Sequence, residues 1–224
     1  MDTRQQIFEN YEVPDPARIN KAVRFIENYF KKIEGLNVLD CGFSKGGVAD
    51  ILSKRGANCF GIDINPREFD GIKTIQADLN NGIPDIGVEF DIIFAGEIIE
   101  HIFDESRFVR ECRRVLKPEG ILIMTTPNLV NLYNRFFMFF GAMPSNAHAA
   151  DPFHYHVYNR ETFQNLIKKE GFTILKSTSS YLPIDFSFVF GRNNLNIKIG
   201  RIFEFLGDII PTLGTQLMIF AKMK

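Results

Sequence analysis

Glu97, Glu100 and His101 place two carboxylates and an imidazole within five residues, directly after the apolar run Phe90-Asp91-Ile92-Ile93-Phe94-Ala95-Gly96. A helical turn would put Glu97 and Glu100 on one face, with His101 four residues from Glu97. Two kinds of chemistry fit. His101 can act as a general base, since its pKa naturally falls near neutrality. Alternatively, Glu97, Glu100 and His101, joined by His154, can hold a Mg²⁺-, Mn²⁺- or Zn²⁺-type ion. Such an ion would lower the pKa of a substrate hydroxyl and orient a diol. His156 lies in the same later segment, Phe153-His154-Tyr155-His156-Val157-Tyr158, and is the second catalytic candidate. Only one of His154 and His156 is expected to face an ion. The plain alternative makes His101 a helix cap, turns Glu97 to the cofactor side, leaves Glu100 solvated and lets the later histidines shape a pocket.

A second group lies upstream. Val38-Leu39-Asp40-Cys41-Gly42-Phe43-Ser44-Lys45-Gly46-Gly47 reads as a strand, a glycine turn and a helix start. A dinucleotide site needs a glycine where Ser44 stands, and Asp40 at the strand tip would repel a pyrophosphate. An anion there suits a cation, such as the ammonium of a methionine moiety. Asp63, 23 residues after Asp40, ends the next strand and can accept from both ribose hydroxyls. Asp78 follows the third strand and can accept from an adenine amino group. Phe43, Gly46, Ile64 and Leu79 flank these carboxylates and complete the expected cofactor wall.

These groups need a scaffold that collects strand ends. Short apolar runs near 37–41, 58–63, 72–76, 90–95 and 120–125 alternate with helical patterns near 46–55 and 104–116. The alternation predicts a doubly wound parallel sheet, with its site outside the carboxyl ends of the strands. Asp15-Pro16 signals a helix start; Ile19, Val23, Ile26, Phe30 and Ile33 continue it, and Gly35 is expected to stop it. Beyond Pro127 the pattern changes. Asn128 to Met143 reads as a helix with Leu129, Leu132, Phe136, Phe139 and Phe140 on one side, followed by a polar loop from Pro144 to Asp151. Thr162 to Lys169 reads as a helix, and Phe172–Ser180 and Thr215–Lys222 as strands. Tyr181 to Gly214 is rich in Phe and Ile without a clear period. Core packing, an apolar substrate lid, and peripheral membrane contact through Arg135 to Phe140 are the three readings of the Phe-rich segments. In the lid reading they set the choice of acceptor. Thr125-Thr126-Pro127-Asn128 falls either where a substrate would enter or at an ordinary turn.

The 224 residues suit one domain: a helical segment over 1–35, a cofactor core over 36–127, and substrate-side elements with two last strands over 128–224. The formal charge is −1 and the pI near 6.4, which excludes the global basic field of non-specific nucleic-acid binding. Cys41, Cys59 and Cys112 are odd in number and contain no Cys-x-x-Cys pair. They fit a reducing, cytoplasmic setting, with Cys41 and Cys59 expected as small buried hydrophobes. The first residues lack a signal-peptide run, and no apolar stretch of about 18 residues is present to span a membrane. No feature of the sequence sets an oligomeric state.

In order and spacing, Val38-Leu39-Asp40-Cys41-Gly42, Gly61-Ile62-Asp63, Gln76-Ala77-Asp78, Phe90 to His101 and Arg114 to Gly120 resemble the class I S-adenosylmethionine-dependent methyltransferases, in the branch with a Glu-x-x-Glu-His signature. The resemblance covers roughly residues 35–127, more weakly 150–180. It implies a Rossmann-like α/β fold whose seven-stranded sheet ends in an antiparallel strand, here with a helical, aromatic C-terminal insertion. It also implies binding roles for Asp40, Gly42, Asp63 and Asp78, with Ala95 and Gly96 facing S-adenosylmethionine. Ser44 and Lys45 depart from the family's glycine loop. Ubiquinone-pathway O-methyltransferases share Glu-x-x-Glu-His and act on catechols. Small-RNA 2′-O-methyltransferases share it too, with a downstream histidine segment that Phe153 to Tyr158 loosely resembles. The expected activity is methyl transfer to an oxygen of a small phenolic, sugar or lipid-linked acceptor with an apolar or aromatic part. Metal-assisted RNA 2′-O-methylation and a non-catalytic cofactor-binding partner subunit are the alternatives.

Overall fold

The computed structural model describes residues 16–43, 47–144, 153–183 and 194–224. Ser44, Lys45 and Gly46 of the glycine loop, Asp15 and most of the expected polar loop lie outside the described residues. Seven strands form one sheet: β1 (Asn37–Cys41), β2 (Asn58–Asp63), β3 (Ile72–Gln76), β4 (Phe90–Gly96), β5 (Leu116–Pro127), β6 (Phe172–Ser179) and β7 (Gln216–Met223). Their order is β3-β2-β1-β4-β5-β7-β6. Strands β1 to β5 pair in parallel, and β7 runs antiparallel to both β5 and β6. This is the α/β, Rossmann-like sheet that the alternating pattern and the family resemblance predict.

The chain leaves β1 toward β2 on one side and later returns to β4 on the other, so the winding direction reverses between β1 and β4. Cys41 pairs with Ala95 there, the last pair between the two strands, with Gly42 and Gly96 following at the sheet's edge. An open α/β sheet offers its crevice at such a reversal. Helices cover both faces. Helix α1 (Pro16–Phe30) and α2 (Gly47–Ser53) bury Ile19, Val23, Ile26, Val48 and Leu52 on one. Helix α3 (Glu105–Val115) and α5 (Arg160–Lys169) bury Phe108, Cys112, Phe163 and Ile167 on the other. Cys41 and Cys59 are buried as expected.

Several boundaries differ from the sequence expectation. Helix α1 ends at Phe30, not near Gly35, because Lys31 turns left-handed at φ 61°. The fifth strand begins at Leu116, which pairs with Phe90 ahead of a register shift, so it is longer at both ends than the expected 120–125. The expected helix over Asn128–Met143 shrinks to α4 (Leu132–Phe139), because the Asn131 side chain caps it by accepting from Asn134 N. Phe136, Phe139 and Phe140 are exposed instead of packing as a stripe. The aperiodic stretch contains α6 (Asn194–Ile209). Helix α6 is tied down by Lys21, whose Nζ donates to Ser179 O and Glu204 O at 2.7 Å each and pairs with Asp208 at 3.0 Å.

Candidate active site

Asp40, next to last in β1, is almost fully buried, and its Oδ2 accepts from Ala49 N of α2 at 3.2 Å. Burial pushes its carboxyl up to about 7, against the pull of the Ala49 amide and the nearby Arg18. Beyond it the chain turns at Gly42, where φ is 76° and an added Cβ would meet Ile98 at 3.1 Å. Gly42 N donates to Ile62 O at 2.9 Å, lashing this turn to β2. The Phe43 ring is buried against Gly61 and Phe69, so its side chain serves the core and only its backbone borders the crevice. Asp63 is half-buried at the β2 tip and accepts from Asn65 N at 2.9 Å, with the exposed Ile64 between. Asp78 caps the turn Leu79–Asn81, accepting from Asn80 N at 2.9 Å, and Leu79 is buried beneath it. The three carboxylates thus stand at the ends of β1, β2 and β3, at the carboxyl edge of the sheet. Ala95 and Gly96 end β4 at the same edge.

Past Gly96, the chain bends through Glu97 at φ 55°, a left-handed conformation that costs a non-glycine residue about 1–3 kcal/mol. Glu97 N donates to Thr125 O at 3.1 Å, and its Oε1 accepts from Thr125 Oγ1 at 2.8 Å. The same Oε1 pairs with Arg18 from α1 at 3.1 Å. Arg18 also donates to Thr125 Oγ1 at 3.3 Å, and its buried Nε has no hydrogen-bond partner among the described residues. Arg18 was not legible as a site residue. On an amphipathic helix a charged residue reads as solvated, and nothing local to 16–30 points to a strand end more than 70 residues away.

Glu100 lies on the turn Ile99–His101 and is buried, which counts against the plain alternative that left it solvated. Its Oε2 accepts from Thr126 Oγ1 at 3.0 Å. Burial, and then the neighbouring Glu97 charge, raise its carboxyl well above the usual range. The Glu100 backbone carbonyl accepts from Tyr155 N at 2.8 Å and holds the 153–158 segment over the turn. His101 Nδ1 meets Phe153 O at 2.9 Å. A carbonyl only accepts, so Nδ1 carries the proton and Nε2 is the basic nitrogen. The His154 ring lies 4.7 Å from the His101 ring. One ligand atom from each of Glu100, His101 and His154 falls within 4.8 Å of the others.

Two predicted members do not join that cluster. Glu97 turns to Arg18 and Thr125, because its left-handed backbone points it toward the cofactor crevice. His156 faces Phe103 O at 3.2 Å and Glu105 at 3.5 Å, which anchor it to the start of α3. Of the two downstream histidines, it is His154 that meets His101.

An open, mostly parallel sheet with carboxylates at three strand tips defines an α/β domain with a crevice at its strand ends and titratable groups beside it. A family model described as a methyltransferase domain matches residues 15–177. The chain therefore belongs to the methyltransferase domain family. It is 26% identical over 148 residues to a protein of Mycolicibacterium smegmatis named as an S-adenosylmethionine-dependent methyltransferase, covering 62% of this chain and 53% of that one. It is 27% identical over 163 residues to the mitochondrial ubiquinone biosynthesis O-methyltransferase of Bos taurus, covering 64% of this chain and 43% of that one. The chain thus spans about half the length of the curated relatives it matches. An S-adenosylmethionine-dependent methyltransferase from Mesorhizobium loti shares the fold at TM-score 0.62 and 18% identity, covering 93% of this chain and 99% of that one. So does a Burkholderia thailandensis N1-methyltransferase with bound S-adenosylhomocysteine, at TM-score 0.60 and 11% identity, covering 94% and 80%.

Proposed function

We propose that this chain transfers a methyl group from S-adenosylmethionine to an oxygen of a small acceptor. The observation that carries the reading is the charge layout of the crevice. Asp40 is a carboxyl that burial pushes up to about 7, and the nearby Arg18 keeps a buried N–H without a hydrogen-bond partner among the described residues. A buried unpaired donor costs about 1–3 kcal/mol. A bound amino-acid moiety would answer both, ammonium to Asp40 and carboxylate to Arg18. Asp63 would hold the ribose diol, and Asp78 with Leu79 the adenine. S-adenosylmethionine supplies an electrophilic methyl group when bound. His101 Nε2 would take the proton of the acceptor hydroxyl, and the Phe153 carbonyl keeps the ring in the tautomer that can do so. Oxygen as the target draws support from the ubiquinone O-methyltransferase relatives.

Calorimetric titration with S-adenosylhomocysteine tests the cofactor layout. Asp63→Ala should weaken binding by roughly 1.5–3 kcal/mol, the scale of a hydrogen bond to a charged group, and Arg18→Met by a comparable amount. Unchanged affinity in a folded Asp63→Ala protein removes the ribose assignment, and preference for NAD overturns the class.

The convergence of Glu100, His101 and His154 favours a second mode, in which a divalent ion activates the acceptor hydroxyl. A carboxylate and two imidazoles make a donor set suited to Zn²⁺ or Mn²⁺. The Phe153 carbonyl would orient the His101 ligand as outer-shell carbonyls do.

A further inference from the structure

Helix α4 is apolar on almost every side and largely uncovered. Phe136, Phe137, Met138, Phe139 and Phe140 are all exposed, Phe139 by 85% and Phe140 by 68%. At about 100° per residue these five consecutive side chains point around the whole helix. A groove on a protein partner would cover one stripe and leave the others in water, whereas a fluid apolar medium would take them all. The buried residue of the helix is Asn134, whose Nδ2 donates to Leu129 O at 2.8 Å, so the helix is fastened by its base.

Charge points the same way. Residues 128–150 contain no Asp or Glu, and Arg135 is their one Lys or Arg. Arg135 Nε donates to Val130 O at 2.6 Å and its guanidinium reaches Thr212 O at 3.4 Å. Those contacts leave its positive charge without a carboxylate among the described residues and place it beside the turn Pro211–Leu213. Ile209 and Ile210, both exposed, lead into that turn and extend the apolar face. Exposed apolar faces of this extent mark interaction surfaces. No helix among the described residues is long and apolar enough to cross a membrane, so contact would be interfacial. The face also follows directly from the carboxyl end of β5, where Thr125 and Thr126 bind Glu97 and Glu100.

We propose that α4, with Ile209 and Ile210 beside it, inserts into the headgroup–acyl boundary of a lipid bilayer and holds the mouth of the site against it. Resting on the methyl-transfer reading, the acceptor is then a lipid-soluble molecule with an apolar chain, taken from the bilayer rather than from water.

Sedimentation of the full chain with phosphatidylcholine vesicles, and with vesicles carrying added phosphatidylglycerol, tests the docking without cofactor or acceptor. The chain should pellet with both. Added salt should change binding little, because one cation contributes. The double variant Phe139→Asp, Phe140→Asp should bind vesicles at least roughly tenfold more weakly, given the apolar area removed, while binding S-adenosylhomocysteine as before. A chain that stays in the supernatant, or a folded variant that pellets equally, overturns the proposal. So does a dimer in sedimentation velocity that the variant dissolves, since the face would then belong to a second copy. Vesicle binding without S-adenosyl binding would uphold the docking and remove the methyl-transfer reading.

Discussion

His101, His154 and Glu100 were visible in the sequence as one group, but the departure of Glu97 from it was not. The spacing Glu-x-x-Glu-His suggested one face of a helix, whereas the chain forms a left-handed residue and then a short turn. That backbone sends Glu97 to Arg18 and keeps Glu100 with His101. Sequence spacing is read through an assumed conformation, so a single left-handed residue reassigns every side chain after it. The residues themselves were legible because buried carboxylates and imidazoles after an apolar strand are costly and call for a reason. The two modes of catalysis separate cleanly. If an ion is held, Zn²⁺ or Mn²⁺ should raise the melting temperature of the wild type and of His156→Ala. It should fail to do so for His154→Ala and Glu100→Ala, and EDTA should abolish turnover. If His101 acts alone as a base, EDTA should do nothing, His154→Ala should be mild, and His101→Ala should lose about 10²–10⁴ in rate. Full activity in His101→Ala would reject both modes and leave positioning as the source of catalysis.

At the scale of elements, β1, β2 and β4 follow their apolar runs almost to the residue, since a strand buried on both faces has few other uses for such a run. Helix α6 escaped detection for a physical reason. Leu195, Ile197 and Ile199 alternate as a strand would, and Gly200 and Gly207 depress helix propensity. What holds the helix is tertiary: the Lys21 ammonium, caged by two carbonyls and the Asp208 carboxylate. Desolvation lowers the Lys21 pKa, which marks the ammonium as strained unless its cage is complete. Thr178 also donates to Asp208, fixing the carboxylate to β6. Lys21→Met would leave two carbonyls and a half-buried carboxylate short of a donor. Urea unfolding should then show a loss of about 2–4 kcal/mol. Asp208→Asn, which keeps an acceptor, should lose less. A loss below about 0.5 kcal/mol for Lys21→Met would mean that α6 is held by its apolar contacts alone.

For the molecule as a whole, the site is stored at an electrostatic cost that depends on pH. Asp40 and Glu100 both have carboxyls raised by burial, Asp40 to about 7. A carboxyl whose folded pKa exceeds its unfolded value binds a proton more tightly when folded. Stability therefore falls as pH rises from the unfolded value near 4 through the folded one, and levels off above it. A carboxyl held near 7 instead of 3.8 forfeits on the order of 4 kcal/mol once ionised, and Glu100 adds in the same direction. The lowered carboxyls of Glu111 and Asp208 have the opposite sign, but they act only as pH falls below the usual carboxylate range. The protein without ligand should thus melt at a higher temperature at pH 5 than at pH 8, by several degrees on the scale of about 2–4 °C per kcal/mol. S-adenosylhomocysteine carries an ammonium that would pair with ionised Asp40. Its binding should release a proton near neutrality, tighten as pH rises through 7, and give a larger melting-temperature gain at pH 8 than at pH 5. Calorimetry in buffers of different ionisation enthalpy reads the proton directly. A melting temperature that is flat or rising between pH 5 and 8, with Asp40→Asn unchanged in that profile, would show that Asp40 is ionised throughout. The charge complementarity assigned to the crevice would then fall with it.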